Sequence, residues 1–426
     1  MRKIKKMLAL TLATMMLLSA FAGLASAETV IKVFSNLPDR TTGQGFVEQQ
    51  LFDAYMEANP DVRIEVEALQ DEPYKIKFSA YAQGTEMPDL LMVWGMPGFL
   101  DEVIDAGLLA ALPPDLGDEL GFIPGTLDGF SKNGALYGLA RNTDVMAFYY
   151  NQKMFDDNGW AVPTTYEELL ALGETIAAAG IMPVSMAGGD KWPLGIYLTD
   201  LLVKIGGPGV NGRLYDAVAN KDFNTPEFLQ AAALMREAAV RGLFQIGFET
   251  ADYGTAKNLF TNGQAAMFYM GGWEMSMATD PDIDPEIRDN IRMFIMPVVE
   301  GGVGVATDIA AWNGGGYGVS ANGAQREEAI KLLTFMFHPE GWNKIAWENG
   351  VTMTAQDFSA YGTGEETPVQ VEFTLAFTSA TSVSGTPIID MGTANFKNVS
   401  EDAMQEVAIG VLTPEAFVQK LADGCR

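Results

Sequence analysis

The chain has 426 residues, with 55 acidic against 27 basic side chains and a formal net charge of −28. Such a surface repels phosphate backbones, which argues against nucleic acid as a partner. A single histidine (His338) and a single cysteine (Cys425) exclude a histidine-dependent triad, an internal disulfide and any His- or Cys-rich metal site.

Residues 1–27 read as a secretory signal. Arg2, Lys3, Lys5 and Lys6 precede an apolar centre from Met7 to Leu18, and Ala25-Ser26-Ala27 supply the small residues before a cut at Glu28. The apolar centre falls short of the roughly 20 residues a spanning helix needs. The mature protein is therefore expected to be soluble, outside the cytoplasm. About four hundred remaining residues exceed one ordinary core, so two domains are expected.

The mature chain begins with alternating strand and helix patterns. Thr29–Asn36 is strand-like and ends at a polar turn. Phe46, Val47, Leu51, Ala54, Tyr55 and Ala58 recur at helical spacing and stop before Asn59-Pro60. Val62–Leu69 alternates with period two, Tyr74–Gln83 reads as helix, and Pro88–Gly95 is a short apolar strand containing Trp94. This order predicts parallel α/β layers, in which ligands sit beyond the carboxyl ends of strands, where Asn36 and Trp94 fall.

Further on, Asn133-Gly134 marks a turn, and Ala135–Leu139 and Val145–Tyr150 read as strands. Helices are predicted at Tyr166–Ala179, Leu194–Ile205, Pro226–Arg241 and Thr255–Asn262. The run MFYMGGWEMSM (Met267–Met277) then places Trp273 and Glu274 directly after two glycines, ahead of a strand at Ile291–Val299. A glycine-rich segment, Gly301–Gly318, fits neither a Walker loop nor a dinucleotide fingerprint and is read as turns or close backbone approaches. Asp280, Asp282 and Asp284 begin like an EF-hand loop, but Pro285 and Ile291 stand where glycine and glutamate are needed, so calcium is rejected there. No metal or cofactor is expected. Helices at Arg326–Phe337, Glu340–Asn349, Val399–Gly410 and Pro414–Ala422 complete the pattern.

Of seven tryptophans, Trp342 and Trp347 lie in an amphipathic helix and are assigned to the core. Trp94, Trp192, Trp273 and Trp312 sit instead in polar or glycine-rich turns. An indole offers an apolar face that matches the C–H face of a pyranose, plus an N–H donor. Neighbouring Asp, Glu, Asn and Arg residues would supply the few polar groups that fix hydroxyl orientation. Glu274, Asp144, Asp190 and Asp390 are also candidates for the paired carboxylates of a secreted glycoside-acting enzyme, whose separation sequence does not give. A receptor for another solute, such as a polyamine or amino acid, stays open beside these two readings.

The segments FVEQQLFDAYMEANPDVRIEVE, AQGTEMPDLLMVWG, NGALYGLARNTDVMAFYYNQKMFDDNGWAVPTTYEEL, DKWPLGIYLTDLLVKIGG, LFTNGQAAMFYMGGWE and WNGGGYGVSANGAQREEAIKLLTFMFHPEGW occur in an order and spacing that resemble extracellular solute-binding proteins of carbohydrate-uptake ABC transporters, the maltose-binding type. The resemblance covers nearly all of the mature chain. It implies an α/β, two-lobe periplasmic-binding-protein fold (type II) with hinge crossovers and a ligand cleft between the lobes, closing by a hinge motion. The first lobe would comprise 28–140 and 310–378, and the second 141–309 and 379–426. Crossovers are expected near Ala140–Asp144, Ala310–Gly314 and Phe377–Ser384.

Carried over position by position, the resemblance implies ligand contacts from Trp273, the family's stacking tryptophan, and from Asp144, just before the "YN" strand. It adds Trp94, Trp192 with Asp190, Trp312 and Asn313, then Asn36, Arg141 and Glu274. Asp390 comes from Val383–Asn395, where the match is looser. The implied role is non-catalytic: a periplasmic or cell-surface monomer that captures a sugar or oligosaccharide and passes it to permease subunits, touching the membrane only through them. The lipobox cysteine common in Gram-positive members is absent.

Overall fold

The computed structural model describes residues 28–84 and 86–426, so the leader expected at 1–27 lies outside the described residues. Two sheets organise the chain. The first runs in the order Val62–Ala68, Thr29–Ser35, Leu90–Trp94, Gly315–Val319, Leu139–Ala140. Its first three strands are mutually parallel, and Gly315–Val319 joins Leu90–Trp94 antiparallel. The helix Gly43–Ala58 covers this sheet with Val47, Leu51, Phe52 and Tyr55, and ends where Asn59 donates to the Tyr55 carbonyl and Pro60 bars continuation.

The second sheet runs Ser382–Ser384, Asp308–Trp312, Asp144–Asn151, Ala265–Gly271, Met182–Ser185, with Ile291–Phe294 also paired to Asp144–Asn151. Both central strands, Asp144–Asn151 and Ala265–Gly271, are buried along their whole length. Layers of helix sandwich them, including Trp192–Gly206, which is buried at every position. Each sheet has its own apolar core, with Trp342 in the first and Trp347 in the second. The strand expected at Ile291–Val299 stops at Phe294 and leaves the ladder before Pro297, which has no N–H to donate.

The chain crosses at 313–314, within the expected Ala310–Gly314, but the lobe boundary expected at 310 and the last crossing differ from expectation. Asp308–Trp312 belongs to the second sheet, so the chain returns to the first only at Gly315. The helix Pro368–Thr378, inside the range expected for the first lobe, packs on the second core: Phe373 meets Tyr149 at 5.7 Å between centroids, and Glu372 pairs with Arg292 at 2.5 Å. Gln356 is still fixed to the first core through the Leu120 and Phe337 carbonyls. The last crossing is thus made between Gln356 and Pro368, ahead of the expected Phe377–Ser384. Among the described residues, no helix is long and apolar enough to cross a membrane.

Candidate binding site

A cavity of about 600 Å³ lies between the two cores, a volume in the range of small-molecule sites. Elements from both sheets converge on it. Asn36 follows the strand Thr29–Ser35, Trp94 ends Leu90–Trp94, Trp312 ends Asp308–Trp312, and Trp273 stands two residues beyond Ala265–Gly271.

The second-sheet side is a run of aromatic rings. Trp273 meets Trp192 at 5.9 Å and Trp312 at 6.5 Å, and Trp192 meets Tyr253 at 6.3 Å. The half-buried Trp273 donates from Nε1 to the Tyr253 hydroxyl at 3.1 Å, which fixes the ring plane. The first of the two glycines before it has a physical account. A Cβ at Gly271 would stand 2.1 Å from the indole, so the ring folds back over a position that must have no side chain. The glycines after Trp312 obey the same rule: a Cβ at Gly314 would press on Trp312 Nε1 at 2.8 Å and Asp144 Oδ2 at 3.1 Å, and one at Gly315 on Arg141 at 3.0 Å.

The first-sheet side carries polar groups among the apolar Leu37, Pro38, Ile76, Trp94 and Phe99. Trp94 is edge-on to Tyr74 and to Phe99, with Lys75 Nζ 5.5 Å above its ring. Asn36 donates to Asp71 at 2.7 Å and accepts from Arg141 at 3.0 Å.

Two carboxyls at the back of the cavity are fully enclosed. Burial pushes Asp144 up to about 7, against the pull of Arg141 and of donors from Gly314 and Asn142. Burial, with Asp280 nearby, pushes Glu274 up to about 8. Glu274 accepts from the Tyr253 hydroxyl, and Lys257 Nζ lies 2.9 Å from its other oxygen but off hydrogen-bond geometry. At the rim, Asp390 is paired with Lys397 at 2.5 Å, and Lys397 also reaches Glu401 at 3.1 Å. Burial disfavours the Lys397 charge, but those two carboxylates outweigh it and raise its affinity for the proton.

Nine of the eleven residues singled out in the sequence line this cavity: Asn36, Trp94, Arg141, Asp144, Trp192, Trp273, Glu274, Trp312 and Asp390. Asp190 and Asn313 are not on its wall. Asp190 accepts from the Tyr253 N–H at 2.7 Å and so holds the start of the helix Tyr253–Thr261. Its carboxyl is raised to about 6, first by burial and then by Glu72 and other neighbouring acids. Asn313 donates to the Asn142 carbonyl (3.1 Å) and the Thr143 hydroxyl (2.9 Å), tying two crossover segments together. Wall residues that sequence reading passed over include Gln44, Lys75, Phe99, Tyr253, Lys257 and Lys397. Tyr253 and Lys257 share a helix face at i, i+4, and Ala394, Lys397, Asn398 and Glu401 form a polar stripe, a spacing that could have pointed to them.

No group of three or more His, Cys, Asp or Glu side chains arranged for a metal ion occurs among the described residues. The arrangement suits a ligand with apolar faces and many hydroxyls.

Architecture and cleft together define a two-lobe solute-binding protein. The profile of the bacterial extracellular solute-binding protein family matches residues 41–341, and the chain belongs to that family. The multiple sugar-binding protein of Streptococcus mutans is 23% identical over 377 residues, covering 82% of each chain. The maltotriose-binding protein of Pyrococcus abyssi is 26% identical over 262 residues, 59% of this chain, and the match spans only about half (53%) of that relative. A solved chitin oligosaccharide binding protein superposes with a TM-score of 0.81 at 23% identity, over 93% of this chain and 98% of that one.

Proposed function

We propose that this chain is the non-catalytic receptor of an ABC importer: it captures a neutral sugar or short oligosaccharide outside the cytoplasm and hands it to permease subunits. The observation that carries the reading is the run Trp192–Trp273–Trp312 along one side of a cavity that also presents Asn36, Gln44, Asp71 and Glu72. Stacked indoles take the C–H faces of pyranose rings, and the facing side chains take their hydroxyls. The names of the relatives, which are those of sugar-binding proteins, support the same ligand class.

A neutral ligand is favoured over an acidic one because Lys75, Lys397 and Arg141 are already engaged: Lys75 pairs with Glu72, Lys397 pairs with Asp390, and Arg141 donates to Asn36 and Asn142. The lobes are taken as 28–140 with 315–356, and 144–312 with 368–426, the three joining segments acting as the hinge. Ligand contacts made to both lobes at once would select the closed form. Mature protein released from its leader acts as a monomer.

The test is a thermal-shift panel of maltotriose, xylotriose, raffinose and diacetylchitobiose, followed by analysis of the recovered sugars. A receptor gives saturable stabilisation by at least one sugar, about 2.7 kcal/mol at a hundredfold excess over Kd, and returns that sugar intact. Stabilisation by none of them, or cleavage products, contradicts it. A glycoside-acting enzyme would give turnover in the same tubes.

A further inference from the structure

We infer that Gln44, together with the open first turn of the helix Gly43–Ala58, forms a hydroxyl-reading subsite at one end of the cavity. The inference rests on the receptor reading above. It starts from an unpaired amide. Gln44 is 6% exposed and lines the cavity, yet neither its Oε1 nor its Nε2 has a hydrogen-bond partner. Protein interiors rarely leave a buried amide with both ends unmet, because each unmade bond costs the desolvation of its group.

The helix start beside it is also unsatisfied. Thr42 at the N-cap makes no side-chain bond to the first turn, and no acidic residue stands in that turn. The first N–H groups of a helix have no partner within it. Asp39, the nearest carboxylate, is spent one step earlier, on the Thr41 and Thr42 N–H groups and hydroxyls. The Trp273 turn closes in directly opposite: Ser276 Oγ lies 3.1 Å from where a Cβ on Gly43 would stand, and Gly43 holds a φ of +56°. The first turn, Gln44 and Trp273 therefore line the same cavity.

The chemistry of the missing partner follows from the amide. Gln44 offers donors at Nε2 and an acceptor at Oε1. An anion would satisfy the nitrogen and oppose the oxygen, and a cation would do the reverse. Adjacent hydroxyls, each able to donate and accept, satisfy both ends and can also take the N–H groups of the first turn. Asp39 supports this choice over an anion. Partial burial opposes its ionisation, but the bonds from Thr42 and Thr41 outweigh burial and hold it down at about 2, so it stands charged beside the helix start.

The experiment compares wild type with Gln44→Leu and Gln44→Met, using calorimetric titration with maltotriose, xylotriose, raffinose and diacetylchitobiose and melting of the free proteins. The sugar that binds wild type most tightly should bind each variant at least about tenfold more weakly, because its hydroxyls lose their partner. The free variants should melt at the same temperature or higher, since an unmatched buried amide has been removed. Unchanged affinity would overturn the inference and leave Gln44 a hydrated amide. So would a lowered melting temperature in both variants, which would show a partner within the protein. If wild type binds none of the four sugars, the receptor reading falls first and takes this subsite with it.

Discussion

On the second-sheet side of the cavity, three indoles lean on one another, with glycines at 271 and 314 making room for them. On the first-sheet side, Asn36, Gln44, Asp71 and Glu72 present polar groups, and the single indole, Trp94, has Lys75 above its ring and two aromatic edges against its sides. The first arrangement concentrates aromatic surface, with Tyr253, Lys257 and Glu274 as the polar groups beside it. The second has more orienting groups, and its indole shares a face with a cation. Binding strength should therefore come mainly from the second lobe and hydroxyl selection mainly from the first.

The largest expected effect comes from breaking the support beneath the aromatic side. Lys204 is buried near the end of the helix that begins with Trp192, and its ammonium donates to the carbonyls of Val305 (3.1 Å), Ala306 (3.0 Å) and Asp308 (2.6 Å), where the strand ending in Trp312 begins. Burial lowers Lys204 to about 8, against the pull of Asp200 and Asp308. Lys204→Met strands three carbonyls and leaves the buried Asp200 without its cation, so stability should fall by about 3 kcal/mol in denaturant titration. A loss within experimental error would separate the two indoles from this clamp.

Next comes the proton on Glu274. Its pKa rises from 4.5 to about 8 in the folded protein, so the folded state keeps a proton that the unfolded chain releases. That contribution is fully present below about pH 4.5 and is lost as pH rises through 8. Glu274→Gln should gain about 2 kcal/mol relative to wild type between pH 4 and pH 8, less than the full linkage because Lys257, 2.9 Å away, favours the ionised form. A constant difference across that range would show that Glu274 is ionised in the folded protein throughout.

Trp273→Ala should weaken binding of the tightest sugar at least about tenfold while leaving the free protein folded. A variant that unfolds with unchanged affinity would make Trp273 a core residue. Trp94→Ala should cost about threefold, because Lys75 already shares its face. Equal losses at both positions would erase the contrast between the two sides, and a larger loss at a single carboxylate than at Trp273 would point to a cationic solute.

Much of this was legible because it rests on short-range patterns. Helix limits at Asn59-Pro60 and Thr165–Glu168 follow from proline chemistry and a capping box. Trp94, Trp192, Trp273 and Trp312 stood out because their sequence neighbours are turn formers, although Trp94 and Trp312 end strands and Trp192 begins a helix. Asn313 misled because neighbours in extended chain point to opposite sides, so a residue beside Trp312 need not share its surroundings. The helix Pro368–Thr378 was hidden by a strand-like alternation of Val369, Val371, Phe373, Leu375 and Phe377. Thr367 and Gln370 form a capping box with Pro368 at the first position, and the helix leaves Val371 and Leu375 exposed. Gln44, Lys257 and Lys397 were missed because polar residues on helices usually face water, and only the meeting of two lobes encloses these.

The central claim is that this cleft holds a neutral sugar between an aromatic side and a polar side and does no chemistry on it. Calorimetric titration of the wild-type chain with the four oligosaccharides, with chromatography of each sugar afterwards, tests it most directly. The account predicts saturable one-to-one binding of at least one of them, a negative heat-capacity change from apolar burial, and an unaltered sugar. Heat-silent mixing with all four, or shortened sugars in the recovered sample, would contradict it.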